Sequence, residues 1–184
     1  MLDTRDPQDF AAGHLDGAIN VGLAGRFAEM AGEVVAADRD VVLVAEPDTA
    51  TEARNRLARI GFDRVVGYLP PIAVPTERLR AASRLTATQL AAVADSAQIV
   101  DVRGPGEVRA SGRVPGAVVV PLPELVRRLA ELDPAQPTVV YCAGGYRSSI
   151  AASTLRASGF ADVSDLIGGF GAWNDGTRPV APSP

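Results

Sequence analysis

The stretch LDTRDPQDFAAGHLDGAINVGL (residues 2–23) returns later in the chain as VDVRGPGEVRASGRVPGAVVVPL (residues 100–122), with one inserted residue. A second pair extends the match: VVLVA (41–45) followed by ATEARNRLARIGFDRVVGY (50–68) parallels TVVYC (138–142) followed by SSIAASTLRASGFADVSDL (148–166). Self-similarity at so long a spacing marks a tandem of domains rather than a solenoid of short repeats. A chain of 184 residues has room for two small domains.

Within each copy, short β-branched runs alternate with helix-period segments. In the second copy Thr86 and Gln89 form a capping box ahead of LAAVA, and IVDV (99–102) and AVVVPL (117–122) read as buried strands. PELVRRLAEL (123–132) is expected to be an amphipathic helix, TVVYC a strand, and SSIAASTLRAS (148–158) a helix with Gly159 as its C-cap. A last strand near DVSDL (162–166) leads into a helix-like turn at GAWND (171–175). Strands separated by helices need crossover connections, so the fold class is α/β, each domain a mostly parallel sheet with helices on both faces. In such sheets the site lies at the carboxyl ends of the strands. The expected organisation is a first domain over residues 1–75, a linker over 76–84 and a second domain over 85–184. Three prolines and a charged stretch between 69 and 84 suit a semi-rigid connection. The first copy opens directly on LDTR, with no counterpart of residues 85–99, and reads as N-terminally truncated.

Composition removes several classes of function. Apolar residues make up 47% and charged residues 22%, which argues against disorder and coiled coil. No apolar run reaches the roughly 18 to 20 residues that span a bilayer, and the N-terminus MLDTRDPQDF is polar and acidic rather than signal-like. The expectation is a cytoplasmic protein without a membrane or nucleic-acid partner, since a net charge of −4 provides no attraction for polyanions. One cysteine, Cys142, excludes an internal disulfide framework and a cluster of cysteine metal ligands, and one histidine, His14, excludes the usual multi-His zinc sites. Every basic residue is arginine, which removes lysine Schiff-base chemistry. No metal or other cofactor is implied.

The chemistry concentrates in Cys142-Ala143-Gly144-Gly145-Tyr146-Arg147-Ser148, between a strand ending at Tyr141 and a helix expected to start near Ser148. Two adjacent glycines permit positive φ and let successive amides turn inward as an anion-binding nest, reinforced by the helix N-terminus. Such a field favours a thiolate, or an anionic persulfide, at Cys142. Arg147 supplies a permanent forked cation suited to an oxyanion such as thiosulfate. Cys142 is therefore the candidate nucleophile, and Ala143 through Ser148 are the candidate substrate-binding residues. The corresponding loop of the first copy, Ala45-Glu46-Pro47-Asp48-Thr49, has no thiol, no glycine pair and no arginine, and its acidic residues would repel an anion. That copy reads as inactive.

Other residues have plainer roles. Asp101 and Arg103 recur as Asp3 and Arg5 in the inactive copy, which favours a structural role, an ion pair or loop hydrogen bonds. Glu107 and Asp9 read as carboxylates at helix N-termini. Phe170 and Trp173 are assigned to the core, His14 to a satisfied turn, and Arg127 and Arg128 to a solvated helix face.

On these motifs the whole chain resembles two rhodanese domains in tandem. The second copy matches through VDVRGPGEV, VPGAVVVPL, YCAGGYRS and the terminal GGFGAWNDGTRPV; the first matches through LDTRDPQDFAAGHLDGAINVGL and RLARIGF but lacks the active loop. The resemblance implies that Cys142 accepts a sulfane sulfur as a persulfide and passes it to a thiophilic acceptor. Thiosulfate, glutathione persulfide and sulfite are the small anionic partners it implies. Arg113 stands where the family commonly has histidine, while His14 keeps that place in the first copy. An inactive copy containing GLAGRFAEMAG ahead of an active one with YCAGGYRSSIAAS is similar to the C-terminal half of bacterial fusions between a metallo-β-lactamase-fold persulfide dioxygenase and rhodanese. A fused or associated persulfide dioxygenase is the further partner this implies. The alternatives are a non-catalytic sulfur carrier and a Cys-loop phosphatase or arsenate reductase. Against the last, only four residues separate Cys142 from Arg147, one fewer than the phosphatase signature.

Overall fold

The computed structural model of the chain describes residues 1–71 and 76–183. They form two units, Met1–Ala82 and Ser83–Pro184. The first runs β1 (Leu2–Asp3), α1 (Pro7–Ala12), β2 (His14–Leu15), β3 (Ile19–Asn20), α2 (Phe27–Val34), β4 (Val41–Val44), α3 (Pro47–Ala58), β5 (Val65–Leu69) and, after a short 3-10 turn, β6 (Leu79–Arg80). Its main sheet has the order β3-β1-β4-β5, with every neighbouring pair parallel, and β2 pairs with β6 antiparallel.

The second unit runs β7 (Ser83–Leu85), α4 (Ala87–Val93), β8 (Gln98–Asp101), α5 (Pro105–Ser111), β9 (Val118–Val119), β10 (Thr138–Tyr141), α6 (Tyr146–Ala157), β11 (Val163–Leu166) and α7 (Gly169–Trp173). Its five strands are all parallel, in the order β7-β11-β10-β8-β9. The segment β9-β8-β10-β11 reproduces β3-β1-β4-β5, so the sequence repeat is a repeat of sheet topology. Among the described residues, β7 and α4 have no counterpart in the first unit. Its β5 is consequently an edge strand with Val66 and Tyr68 exposed.

Local chemistry explains the element starts. Asp6 accepts the Gln8 N–H at 2.8 Å to open α1 ahead of Pro7. Thr86 and Gln89 make the reciprocal capping box of α4. The β-branched runs VVLV and TVVY become the central strands β4 and β10, and the latter is buried along its whole length. Leu90, Ile99, Val114, Val139, Tyr141, Leu166, Phe170 and Trp173 form the core around the second sheet.

Two expectations change. PELVRRLAEL is not one α-helix but two 3-10 stretches, Leu122–Arg127 and Leu129–Glu131, broken at Arg128 with φ −110° and ψ 15°. Prolines at 121 and 123 remove N–H donors and hold the entry in a tight turn, while Arg128 turns to Glu124 and Glu131 at 2.8 and 2.6 Å. Residues 76–84, read as a linker, contain the Thr76–Arg78 turn, β6 and the start of β7. The part of the proline-rich stretch at 72–75 lies outside the described residues.

Asp101 and Arg103 form a buried ion pair at 2.6 Å, and Asp3 and Arg5 form the same pair at 2.6 Å in the first unit. Each arginine also reaches across its turn to a carbonyl, Arg103 to Gly112 at 2.7 Å and Arg5 to Gly13 at 2.8 Å. Arg103 further lies over the rings of Phe170 and Tyr141, at 4.0 and 5.5 Å from their centroids. Removing one partner leaves an uncompensated buried charge. Arg103→Ala is therefore expected to destabilise the chain by about 3 kcal/mol in chemical denaturation. Arg5→Ala should cost clearly less, because the Arg5 side chain is 22% exposed against 2% for Arg103.

Candidate active site

The carboxyl end of β10 delivers Cys142 into the sheet's open end, beside the turn that follows β8. Cys142 is 1% exposed, so what reaches its sulfur is decided by the loop around it. The Gly145 N–H donates to Sγ at 3.1 Å, and Ser148 Oγ stands 3.7 Å from Sγ while donating to the Gly145 carbonyl at 3.1 Å. Gly145 is the residue before α6 and takes φ +104°, which an L side chain would resist. Its amide points at the sulfur from the head of the following twelve-residue helix.

The glycine pair divides its work differently from the sequence expectation. Only Gly145 occupies the left-handed region; Gly144 does not, and a Cβ there would meet nothing within 4 Å. The helix also begins at Tyr146 rather than near Ser148, because Gly145 has already turned the chain. Ala143 and Gly144 are exposed at the mouth, Tyr146 and Arg147 half-buried, and Ser148 buried. Ala143 to Gly145 thus form the turn between Cys142 and α6, whose first residues are Tyr146, Arg147 and Ser148.

Arg147 is not an open cation. Its Nη1 and Nη2 donate to Glu107 Oε2 and Oε1, both at 2.7 Å, in a bidentate pair. Glu107 Oε2 simultaneously accepts the Gly104 N–H at 3.0 Å, closing the first turn of α5. The hydrogen bonds from Arg147 hold the Glu107 carboxyl down at about 2, so the pair is fully ionised at neutral pH. Reading Glu107 as a helix-start carboxylate captured its bond from Gly104; its two bonds from Arg147 were missed.

A second contribution missed from sequence comes from α7. Its Phe170 N–H donates to the Cys142 carbonyl at 2.6 Å and its Gly171 N–H to the Ala143 carbonyl at 3.0 Å. Anchoring these two carbonyls fixes the orientation of the peptide planes through the loop. The approach is so close that a Cβ on Gly169 would stand 2.4 Å from the Cys142 oxygen. The signal available in the sequence was the Gly168-Gly169 doublet one residue after β11, which has no equivalent in the first copy. Phe170 and Trp173 are buried, as their core assignment requires.

In the first unit the equivalent position is Ala45, followed at once by Glu46 and by α3 beginning at Pro47. No loop intervenes to cradle an anion. His14 is buried and stacked on Phe10 with centroids 3.9 Å apart, its Nδ1 3.0 Å from the Phe10 carbonyl oxygen. Among the described residues no group of three His, Cys, Asp or Glu side chains could hold a metal ion, and no helix is long and apolar enough to cross a membrane.

The Rhodanese-like domain family matches residues 1–70 and 86–175. The uncharacterized protein YqhL of Bacillus subtilis is 34% identical over 119 residues, covering 65% of this chain and 92% of that protein. The thiosulfate sulfurtransferase GlpE of Shewanella oneidensis is 39% identical over 82 residues, covering 45% of this chain and 80% of that protein. Among solved structures, a rhodanese-related protein from Thermoplasma volcanium superposes with a TM-score of 0.50 at 28% identity, covering 53% of this chain and 96% of that one.

Proposed function

The chain belongs to the rhodanese family, and from that premise we propose that its second unit is a sulfurtransferase that carries sulfane sulfur on Cys142. The observation that supports this reading is the Gly145 N–H aimed at Sγ at 3.1 Å from the head of α6. In the first half-reaction the Cys142 thiolate attacks the sulfane sulfur of thiosulfate or of a low-molecular-weight persulfide. The donor's S–S bond breaks and its electron pair leaves with sulfite or a thiolate. The new terminal sulfur is anionic and occupies the cradle. In the second half a thiophilic acceptor, a thiol or sulfite in the cell or cyanide in an assay, attacks that sulfur and regenerates the thiolate. The lone thiol suits a reducing, cytoplasmic setting. A persulfide dioxygenase, fused or associated, is the partner whose substrate or product such a site would exchange.

The test is intact-mass measurement of the reduced chain after exposure to thiosulfate or glutathione persulfide. One added sulfur is expected, about 32 Da, removed by cyanide with release of thiocyanate. Stoichiometric loading without turnover would make the chain a carrier. Absence of the adduct with either donor would end the sulfur-transfer reading. Aryl phosphates should not be hydrolysed, because the tight Cys142–Arg147 turn leaves too small a ring for a tetrahedral phosphate.

A further inference from the structure

The bidentate Arg147–Glu107 pair bears on which donor the site prefers, given the sulfur transfer proposed above. Four charged side chains belong to segments 101–107 and 142–148: Asp101, Arg103, Glu107 and Arg147. Each arginine is engaged by one carboxylate at 2.6 to 2.7 Å. The Asp101–Arg103 pair is sealed in the core, whereas the side chains of Arg147 and Glu107 are 27% and 40% exposed, where a donor can meet them. Glu107 is itself fixed from α5 through Gly104, so the carboxylate is a built part of the rim rather than a passing surface partner.

The two donor classes load this rim differently. When a thiolate attacks thiosulfate, the reacting atoms carry three negative charges, and sulfite departs with two of them. When it attacks the terminal sulfur of a protonated persulfide, R–S–SH, they carry one. The S–S electron pair leaves as RS⁻, which takes the proton from the new Cys142–S–SH to give RSH and the anionic Cys142 persulfide. The dianion needs an uncompensated cation at the rim; the persulfide needs only the loop amide and the helix end. We infer that Glu107 is a specificity-determining residue that neutralises Arg147 and biases the site toward low-molecular-weight persulfides and against thiosulfate.

The experiment compares kcat/KM for thiosulfate and for glutathione persulfide in the wild type, Glu107→Gln and Glu107→Asp, with thermal melts of each. Glutamine keeps an oxygen for the Gly104 N–H and for one Arg147 N–H but removes the opposing charge. In Glu107→Gln the thiosulfate-to-persulfide ratio of kcat/KM should rise about tenfold, mainly through a lower KM for thiosulfate. That gain should shrink as ionic strength rises. Glu107→Asp retains the charge and should keep the wild-type ratio even where both rates fall. Equal changes for both donors in Glu107→Gln would show that Glu107 merely braces the loop and would overturn the inference. A wild type that loads sulfur from neither donor would instead overturn the sulfur-transfer reading on which it rests.

Discussion

Cys142→Ser is expected to abolish sulfur transfer, with cyanide-dependent thiocyanate formation falling by at least about a thousandfold and the added-sulfur mass disappearing altogether. The substitution is nearly isosteric, and a serine oxygen can still accept the Gly145 N–H that now points at Sγ. The melt should therefore stay close to wild type, which separates lost chemistry from lost fold. A serine hydroxyl is a poor nucleophile without a base, and the sole histidine, His14, is stacked on Phe10. The carboxylates beside the loop are committed to arginines, Asp101 to Arg103 and Glu107 to Arg147. On the proposed function the sulfur at position 142 is the nucleophile, and the variant lacks it. Thiocyanate production by Cys142→Ser within tenfold of wild type would remove Cys142 from the reaction and the proposed function with it.

Much of this arrangement could be read before any coordinates, and the parts that could not share a cause. The internal repeat anticipated that β3-β1-β4-β5 and β9-β8-β10-β11 are one topology, because apolar alternation and helix-cap signals are local and survive in both copies. The loop from Cys142 to Ser148 was equally legible, since a strand, a glycine pair and a helix start are contiguous there. What escaped were contacts between segments distant in sequence. Glu107 meets Arg147 forty residues away, and nothing about a helix-start glutamate announces that both its oxygens will accept from an arginine on another helix. The 3-10 geometry of Leu122–Arg127 escaped for the opposite reason: its apolar spacing fits an α-helix, and the prolines at 121 and 123 outweighed that pattern. At Gly144 a pair of glycines concealed that only Gly145 needs a left-handed conformation.

The repeated Asp-x-Arg pair shows how scaffold and site are separated in this chain. Asp3–Arg5 and Asp101–Arg103 have the same geometry in a unit without a thiol and a unit with one, so the pair belongs to the architecture. Around Cys142 the second unit adds contacts that the first does not have: Gly145 on Sγ, Glu107 on Arg147, and the α7 amides on the loop carbonyls. Losing them leaves a stable sheet with a helix starting directly after its central strand, which describes β4 and α3.

Gly169→Ala should then remove activity from a position behind the Cys142 loop rather than in it. Gly169 has φ +58°, a conformation that costs an L residue roughly 1 kcal/mol on its own. The larger effect is steric, because the added Cβ would stand 2.4 Å from the Cys142 oxygen and 2.7 Å from the Ala143 carbonyl carbon and oxygen. These are backbone atoms and cannot swing aside as a side-chain end would. Relief requires α7 to back away from the loop, breaking the Phe170 and Gly171 N–H bonds to the Cys142 and Ala143 carbonyls. Once those carbonyls are released the peptide planes can rotate, and the Gly145 amide loses its aim at Sγ. The expected result is a fall in sulfur-transfer rate of about a hundredfold or more, since displacing a catalytic group by roughly 1 Å costs that much. Gly176→Ala is the control: φ there is +83° but nothing lies within 4 Å of the added carbon, so it should lower stability by about 1 kcal/mol and leave turnover intact. Gly144→Ala, with open space and an ordinary φ, should be tolerated by the fold. Full turnover in Gly169→Ala would mean that the α7 amides do not set the loop, and the origin of its geometry would have to be sought in α6 alone.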